Sequence, residues 1–176
     1  KDWMNKGGTY EETAVLYRSN AQSRAIEEAL LRISIPYRIY GGLRFYERLE
    51  IKNAIAYLKI IFNNNDNPSF ERSISNPTRG VGEKTLGKIR QTAQKYNISY
   101  IKASAKLIDE GSISGRGGSG LRDYLEFVAG CKSFIEENSL SDLMELIIKE
   151  SGLYSYHAKE AGEKGKTRTE NLEELI

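Results

Sequence analysis

The chain has 176 residues, with 26 Lys and Arg side chains against 24 Asp and Glu, 39% hydrophobic residues, one Cys and one His. One Cys cannot form an internal disulfide, and one Cys with one His cannot complete a structural zinc site. No apolar run is long enough to cross a bilayer, whereas the hydrophobic content suffices for a folded core. With no signal peptide visible, we expect a cytoplasmic protein, or a piece of one.

The first elements of the chain alternate between strand-like and helix-like patterns. Residues 13–17 (TAVLY) are short, apolar and rich in β-formers, which predicts a buried strand. Apolar side chains then recur at helical spacing from Ala25 to Ile33, which predicts a helix with Asn20 as its N-cap.

A second strand–helix pair follows Pro36. Residues 37–40 (YRIY) predict a short strand, Gly41-Gly42 a turn, and residues 45–62 a long amphipathic helix. This order is typical of an α/β domain. Because two short strands make only a marginal sheet, the α/β segment is expected to need further chain.

The polar stretch at residues 63–68 (NNNDNP) is the predicted boundary, dividing the chain into segments 1–62 and 63–176. After it the pattern is entirely α-helical, so the expected fold class is mainly α, with a partial α/β segment followed by an all-α domain. Residues 111–120 (GSISGRGGSG) predict a flexible loop. The predicted helices are 69–75, 83–96, 99–109, 121–137, 140–149 and 167–175.

Charge is distributed unevenly along the chain. Residues 1–62 carry 10 basic and 7 acidic side chains, residues 63–122 carry 10 and 5, and residues 123–176 carry 6 and 12. A basic middle beside an acidic end indicates that one surface meets a polyanion. Ordinary solvated helix faces are the alternative explanation.

Several motifs suggest chemistry but lack its context. Gly165-Lys166-Thr167 ends like a phosphate-binding loop, yet the required upstream glycine is replaced by Glu160. The spacing of glycines over residues 115–120 matches a dinucleotide fingerprint, but no strand precedes it. His157 is best explained as a surface or packing residue, and Cys131 as an inert buried thiol. We therefore predict no catalytic residue and no metal site in this chain.

One motif, by contrast, lies between segments that fit the function it suggests. Residues 74–89 indicate a helix, a tight Gly80-Val81-Gly82 turn and a second helix, the pattern of a helix-hairpin-helix element. Two glycines permit unusual backbone angles, and Val81 between them is expected to point into the core of the hairpin. The amides that open the second helix favour a phosphate. A plain corner between two helices is the alternative. The nearby cations are Arg79, Lys84, Lys88 and Arg90.

Longer blocks resemble the UvrD/PcrA/Rep group of superfamily 1 DNA helicases. They follow the order of that family and span nearly the whole chain. The blocks are YRSNAQSR at 17–24, EE at 27–28, PYRIYGG at 36–42, FYER at 45–48, EIK at 50–52, NPTRGVG at 76–82 and TRTENLEEL at 167–175.

The resemblance implies that residues 1–62 form the first stretch of the RecA-like motor subdomain 2A and residues 63–176 the all-α 2B insertion. The parent would be an ATP-dependent 3′-to-5′ DNA helicase acting in repair or replication. ATP and Mg would bind to parts of the parent outside this chain, so the fragment itself is expected to lack a cofactor and ATPase activity.

The resemblance also implies DNA contacts at a single-strand/duplex junction. In the 2A part, helix capping by Asn20 and ion pairing by Arg24 are alternative roles. The duplex-backbone candidates are Thr78, Arg79, Gly80, Val81, Gly82, Lys84 and Thr85, and the single-strand candidates are Arg18, Asn20, Arg24 and Lys52.

Two other functions stay open from the sequence. The acidic region of residues 123–176 could dock repair proteins or the motor subdomains of the same chain, without contact to a membrane. The parent could also be a subunit of a helicase–nuclease.

Overall fold

A computed structural model describes residues 6–18, 22–40 and 44–176. Over these residues it contains α-helices and two short 3-10 helices but no β-strand, which confirms the mainly α fold. The chain divides into two compact units, an N-terminal unit (Lys1–Arg48) and a helical unit (Leu49–Ile176). No helix of the described segments has the length and apolar character to cross a membrane.

The α-helices of the described residues are, in chain order, α1 (Ser23–Arg32), α2 (Leu49–Phe62), α3 (Asn67–Ser75), α4 (Glu83–Tyr96), α5 (Tyr100–Asp109), α6 (Gly115–Phe134), α7 (Leu140–Glu150), α8 (Leu153–Ala158) and α9 (Glu163–Glu174). The 3-10 helices are Tyr10–Glu12 and Phe45–Glu47. Helix α8 has no counterpart in the sequence prediction.

The N-terminal unit is organised around the buried carboxylate of Glu27 in α1. Glu27 accepts hydrogen bonds from the backbone amide of Phe45 (3.2 Å) and from the hydroxyl of Tyr37 (3.1 Å). The guanidinium of Arg48 donates to Ser23 Oγ at 2.8 Å, also at a buried position. These bonds fix α1 against the 3-10 helix Phe45–Glu47. They also satisfy polar groups whose burial without hydrogen bonds would cost free energy.

Both predicted strands are wrong for the described residues. Neither residues 13–17 nor residues 37–40 form a ladder with any other described segment. A strand needs a hydrogen-bonding neighbour and an apolar face to cover, yet Leu16 is 93% exposed and Tyr40 86% exposed. The predicted Asn20 cap and the Gly41-Gly42 turn lie outside the described residues.

Helix α2 forms the centre of the helical unit. Its side chains Ile51, Tyr57 and Ile60 are fully buried, and the helix packs against α3, α6, α7 and α9. The predicted helix at 45–62 therefore begins at Leu49, after a 3-10 turn. The compact units divide at Arg48, whereas the proposed subdomain boundary after residue 62 stays a prediction about the parent.

Helices α3 and α4, and then α5 and α6, are joined in pairs by turns and are called hairpins here, and α3 and α6 pack against α2. Asp66 caps α3 by accepting a hydrogen bond from the backbone amide of Ser69 at 3.0 Å, and Asn97 ends α4 in the left-handed conformation. Helix α4 packs along α5, and α5 along α6. The hairpins thus bring their two turns to the same end of the unit.

The prediction of a flexible loop at residues 111–120 is wrong, because helix α6 begins at Gly115 within this glycine-rich segment. An ideal Cβ on Gly120 would lie 2.0 Å from the carbonyl oxygen of Arg79, and one on Gly117 would lie 3.0 Å from the carbonyl oxygen of Gly80. The glycines allow the first turns of α6 to pack directly on a neighbouring backbone. The glycine-rich composition indicated a flexible backbone, whereas in the structure the absence of side chains allows close contact between α6 and residues 79–80.

Candidate nucleic-acid interface

The turn between α3 and α4 carries the Gly-Val-Gly motif. Gly80 has φ +74°, a conformation that favours glycine, and Val81 is buried, as the sequence predicted. Gly82 is the N-cap of α4 with an extended backbone, and a Cβ there would meet nothing within 4 Å. Space for an incoming group is therefore open directly in front of α4.

The first amides of α4 lack backbone acceptors within the described residues. The carbonyl oxygen of Gly82 accepts the first helical bonds from Thr85 and Leu86, both at 3.0 Å. The preceding amides, of Glu83 and Lys84, make no backbone hydrogen bond within the described residues. Unsatisfied N–H groups and the positive end of the helix dipole favour an anion at this position.

Lys84 and Lys88 differ in what their ammonium groups contact. Lys84 is exposed and makes no ion pair with any described residue. Lys88 donates from Nζ to the carbonyl oxygen of Ser112 at 2.9 Å, which links α4 to the turn before α6. Of these two predicted cations, Lys84 is the one whose ammonium group has no partner among the described residues.

Arg90 is neutralised by carboxylates. Its Nε and Nη2 donate to Glu71 at 2.7 and 2.8 Å, and its Nη1 pairs with Glu83. The hydrogen bonds from Arg90 hold the pKa of Glu71 below its ordinary value. Because this pair joins α3 to α4, Arg90 closes the hairpin rather than adding net positive charge to its tip.

Arg79, at the edge of the turn, is half-buried and donates hydrogen bonds to the protein backbone. Its Nη1 donates to the carbonyl oxygen of Pro77 at 2.9 Å and its Nη2 to that of Ser151 at 2.7 Å. The guanidinium carbon lies 5.6 Å from the ring centre of Tyr57 and 5.7 Å from that of Tyr124. The arginine that the sequence grouped with the phosphate contacts is held among structural partners.

The second hairpin repeats the pattern of the first. Ile113 is buried in the turn between α5 and α6, and Arg116 follows it by three positions, as Lys84 follows Val81. Arg116 is exposed and has no ion pair among the described residues. The sequence analysis missed Arg116, although the sequence holds a signal for the repeated pattern. In each hairpin, the buried residue of the turn is followed eight positions later by a second buried apolar residue. These pairs are Val81 with Ile89 and Ile113 with Leu121.

The starts of α4 and α6 adjoin. An ideal Cβ on Gly80 would lie 2.8 Å from Cγ of Arg116, and one on Gly117 would lie 3.7 Å from Oγ1 of Thr85. A shallow open cleft of about 260 Å³ lies beside this contact. Its lining residues are Thr78, Arg79, Arg116, Ser119, Gly120 and Asp123.

The four single-strand candidates lie in different settings. Arg24 in the N-terminal unit pairs with Glu28 at 3.0 Å, and its hydrogen bond holds the pKa of Glu28 below the ordinary value. The Arg18 side chain is exposed in the same unit, whereas Lys52 is exposed on α2 of the helical unit. Asn20 lies outside the described residues.

The residues considered for other chemistry have structural partners. The buried His157 places Nδ1 2.6 Å from Glu160, and burial raises the pKa of the Cys131 thiol to about 11. Gly165 lies at the start of α9, where a Cβ would meet the carbonyl oxygen of Glu160 at 2.3 Å. Within the described segments, no group of three or more His, Cys, Asp or Glu side chains could hold a metal ion.

Comparison with known proteins decides the family. The profile of the UvrD-like helicase C-terminal domain matches residues 1–111. The chain belongs to the UvrD-like helicase family. This UvrD-like chain is 47% identical to DNA helicase II of Escherichia coli K12 over 176 residues, all of this chain but 24% of that relative.

Other relatives agree with this membership. A DNA helicase II of Haemophilus influenzae is 46% identical over 176 residues, and an ATP-dependent DNA helicase PcrA of Leuconostoc citreum is 38% identical over 167 residues. These matches cover 100% and 95% of this chain, but 24% and 22% of the relatives. The UvrD-like chain therefore spans about a quarter of their length, and the resemblance to the UvrD/PcrA group is confirmed.

Proposed function

We propose that this UvrD-like chain is part of an ATP-dependent DNA helicase that moves 3′ to 5′ in repair or replication. The relatives named DNA helicase II and ATP-dependent DNA helicase PcrA, which match along essentially the whole chain, support this assignment. ATP and Mg bind outside these residues, and the chain itself does not hydrolyse ATP. It supplies the first stretch of subdomain 2A and the 2B insertion.

Within the parent, the helical unit binds the backbone of duplex DNA through a helix-hairpin-helix tip and so regulates unwinding. The observation that carries this proposal is the contact between the starts of α4 and α6, with Lys84 and Arg116 exposed and unpaired within the described residues. Amides and cations together suit phosphate oxygens. Such contacts position a duplex without reading its sequence.

The individual turn residues contribute in different ways. Gly80 lets the turn approach α6, Val81 anchors it in the core, and Gly82 leaves the start of α4 open. Lys84 and Arg116 supply charge, while the hydroxyls of Thr78 and Thr85 supply hydrogen-bonding groups at the same end. In this division of roles, the contacts to phosphate are made by the amides, hydroxyls and these two cations.

The N-terminal unit contributes to the single-strand path of the parent, with Arg18, Asn20 and Arg24 as candidates. In the helical unit, Lys52 on α2 is a separate candidate for contact with the single strand. Motor subdomains of the same chain, the single-strand/duplex junction and repair proteins are the proposed partners.

A second function, docking of a repair protein on the acidic region 123–176, is favoured by one surface feature. Leu140 is 54% exposed and Ile176 39% exposed, and Ser141 Oγ donates to the carbonyl oxygen of Ile176 at 2.6 Å. Leu140 begins α7 and Ile176 follows α9, two helices that carry several carboxylates. Reversing Glu170 and Glu174 to Lys should reduce capture of a repair protein and leave duplex binding intact. Equal loss of both activities would count against a separate docking face.

The duplex proposal is tested with the 176-residue chain and two short duplexes of unrelated sequence. Lys84→Ala should weaken binding to both by a similar factor, because the contact is to phosphate. Lys132→Ala is the matched control, since it removes one exposed charge near the other end of α6. Loss of binding to only one duplex, or equal weakening by both substitutions, would contradict the proposal.

A further inference from the structure

We infer that Arg79 is a positioning residue that holds the Gly-Val-Gly turn in its binding conformation, and that it does not contact phosphate. The inference rests on the proposed duplex binding and refines it. In this division of roles, Arg79 stabilises the turn and Lys84 contacts phosphate.

Both terminal nitrogens of the guanidinium donate to acceptors within the protein. Nη1 bonds to the carbonyl oxygen of Pro77 inside the turn, and Nη2 bonds to the carbonyl oxygen of Ser151, directly after α7. These groups accept bonds from one planar fork. A lysine, with a single ammonium on a flexible stem, cannot reproduce this arrangement.

Two buried aromatic rings support the same guanidinium. Tyr57 in α2 and Tyr124 in α6 are both fully buried, and each ring centre lies within 6 Å of the Arg79 guanidinium carbon. Cation–π contacts of this kind are stronger when water is excluded. The positive charge is therefore balanced by aromatic faces and carbonyl oxygens in the protein.

The aromatic rings are themselves bonded to the C-terminal end of α3. The Tyr57 hydroxyl lies 2.7 Å from the carbonyl oxygen of Ser73 and 2.9 Å from that of Asn76, and the Tyr124 hydroxyl lies 2.6 Å from Ser73 Oγ. Burial raises the pKa of both phenols, so both keep the protons that these bonds need. The start of the turn and Arg79 thus share one cluster.

The backbone of Arg79 completes the attachment. Its carbonyl oxygen packs directly on Gly120 of α6, where no side chain could be accommodated. On the other side, an ideal Cβ on Gly152 would lie 3.4 Å from Cγ of Pro77. The turn is consequently held by α2, by α6 and by the α7–α8 junction, and Arg79 contacts all three.

The test uses two variants of the 176-residue chain that keep the net charge unchanged. Arg79→Lys keeps the positive charge but not the fork, and Tyr57→Phe removes only the hydroxyl that binds Ser73 and Asn76. Both should speed hydrogen exchange of the Thr85 and Leu86 amides, which bond to the carbonyl oxygen of Gly82, about tenfold or more. Both should weaken duplex binding several-fold, while the slope of affinity against salt stays that of the wild type.

Lys84→Ala is the contrasting variant. It should lower the salt slope by about one contact and leave exchange in the turn unchanged. If Arg79→Lys binds duplex as tightly as the wild type and leaves the exchange rates unaltered, the inference is overturned. If the wild-type chain binds no duplex, the proposed function fails, whereas faster exchange in Arg79→Lys and Tyr57→Phe still supports the positioning role.

Discussion

Arg79 and Ser151 stand 72 positions apart in the chain, yet the guanidinium of the first donates to the carbonyl oxygen of the second at 2.7 Å. This bond fastens the turn between α3 and α4 to the end of α7. A hydrogen bond therefore links the hairpin tip to the helices of the acidic region 123–176.

The close approach of α6 to the turn makes a clear prediction for glycine substitutions. Gly120→Ala places a methyl group against the Arg79 carbonyl oxygen and should destabilise the fold by about 1–3 kcal/mol, because backbone must move. Gly130→Ala, in the same helix with nothing near its Cβ position, should stabilise the chain by about 0.5–1 kcal/mol. Thermal melting of both variants checks the pair. Equal effects would contradict the packing described for Gly120.

A second prediction concerns the ion pairs that fasten α9. Arg168 lies 3.7 Å from Glu50 and also donates to Glu160 at 2.5 Å, and all three side chains are largely buried. Arg168→Met leaves both carboxylates without this cation, so we expect a loss of about 2 kcal/mol in chemical denaturation.

Lys164→Met is the control for Arg168→Met. Lys164 approaches the same Glu160 only to 3.9 Å and is 69% exposed. Its removal should change the free energy of unfolding by less than about 0.5 kcal/mol. If the two methionine variants unfold alike, the Arg168 contacts do not stabilise α9.

A third prediction concerns acid stability. Hydrogen bonding from Arg90 lowers the pKa of Glu71 in the folded state relative to the unfolded chain. Its contribution is therefore present above the unfolded pKa of about 4.3 and is lost as the pH falls through the folded pKa. The difference in melting temperature between wild type and Glu71→Gln should be largest near neutral pH and shrink in acid. A difference that stays constant across this range would contradict the ion pair.

The sequence predicted local elements well where local signals are strong. The predicted helix 83–96 matches α4 at both ends, because Gly82 caps its start and Asn97 adopts the left-handed conformation at its end. The burial of Val81 also followed from the motif. These features depend on backbone preferences within a few residues.

Features that depend on distant chain segments could not be predicted in the same way. The glycines of α6 looked like a loop until their contact with residues 79–80 was known. Arg79 looked like a phosphate ligand because its partners, Tyr57, Tyr124 and Ser151, come from three separate parts of the chain. The predicted strands lacked any partner among the described residues, since pairing is a property of two segments.

The most direct test of the account is the salt dependence of duplex binding by the 176-residue chain, measured for wild type and for Lys84→Ala/Arg116→Ala. If both cations contact phosphate, the slope of log affinity against log salt should become shallower by about 1.8, because each lost contact removes about 0.9 from it. An unchanged slope in the double variant would contradict the claim that the adjoining starts of α4 and α6 form the duplex-binding surface.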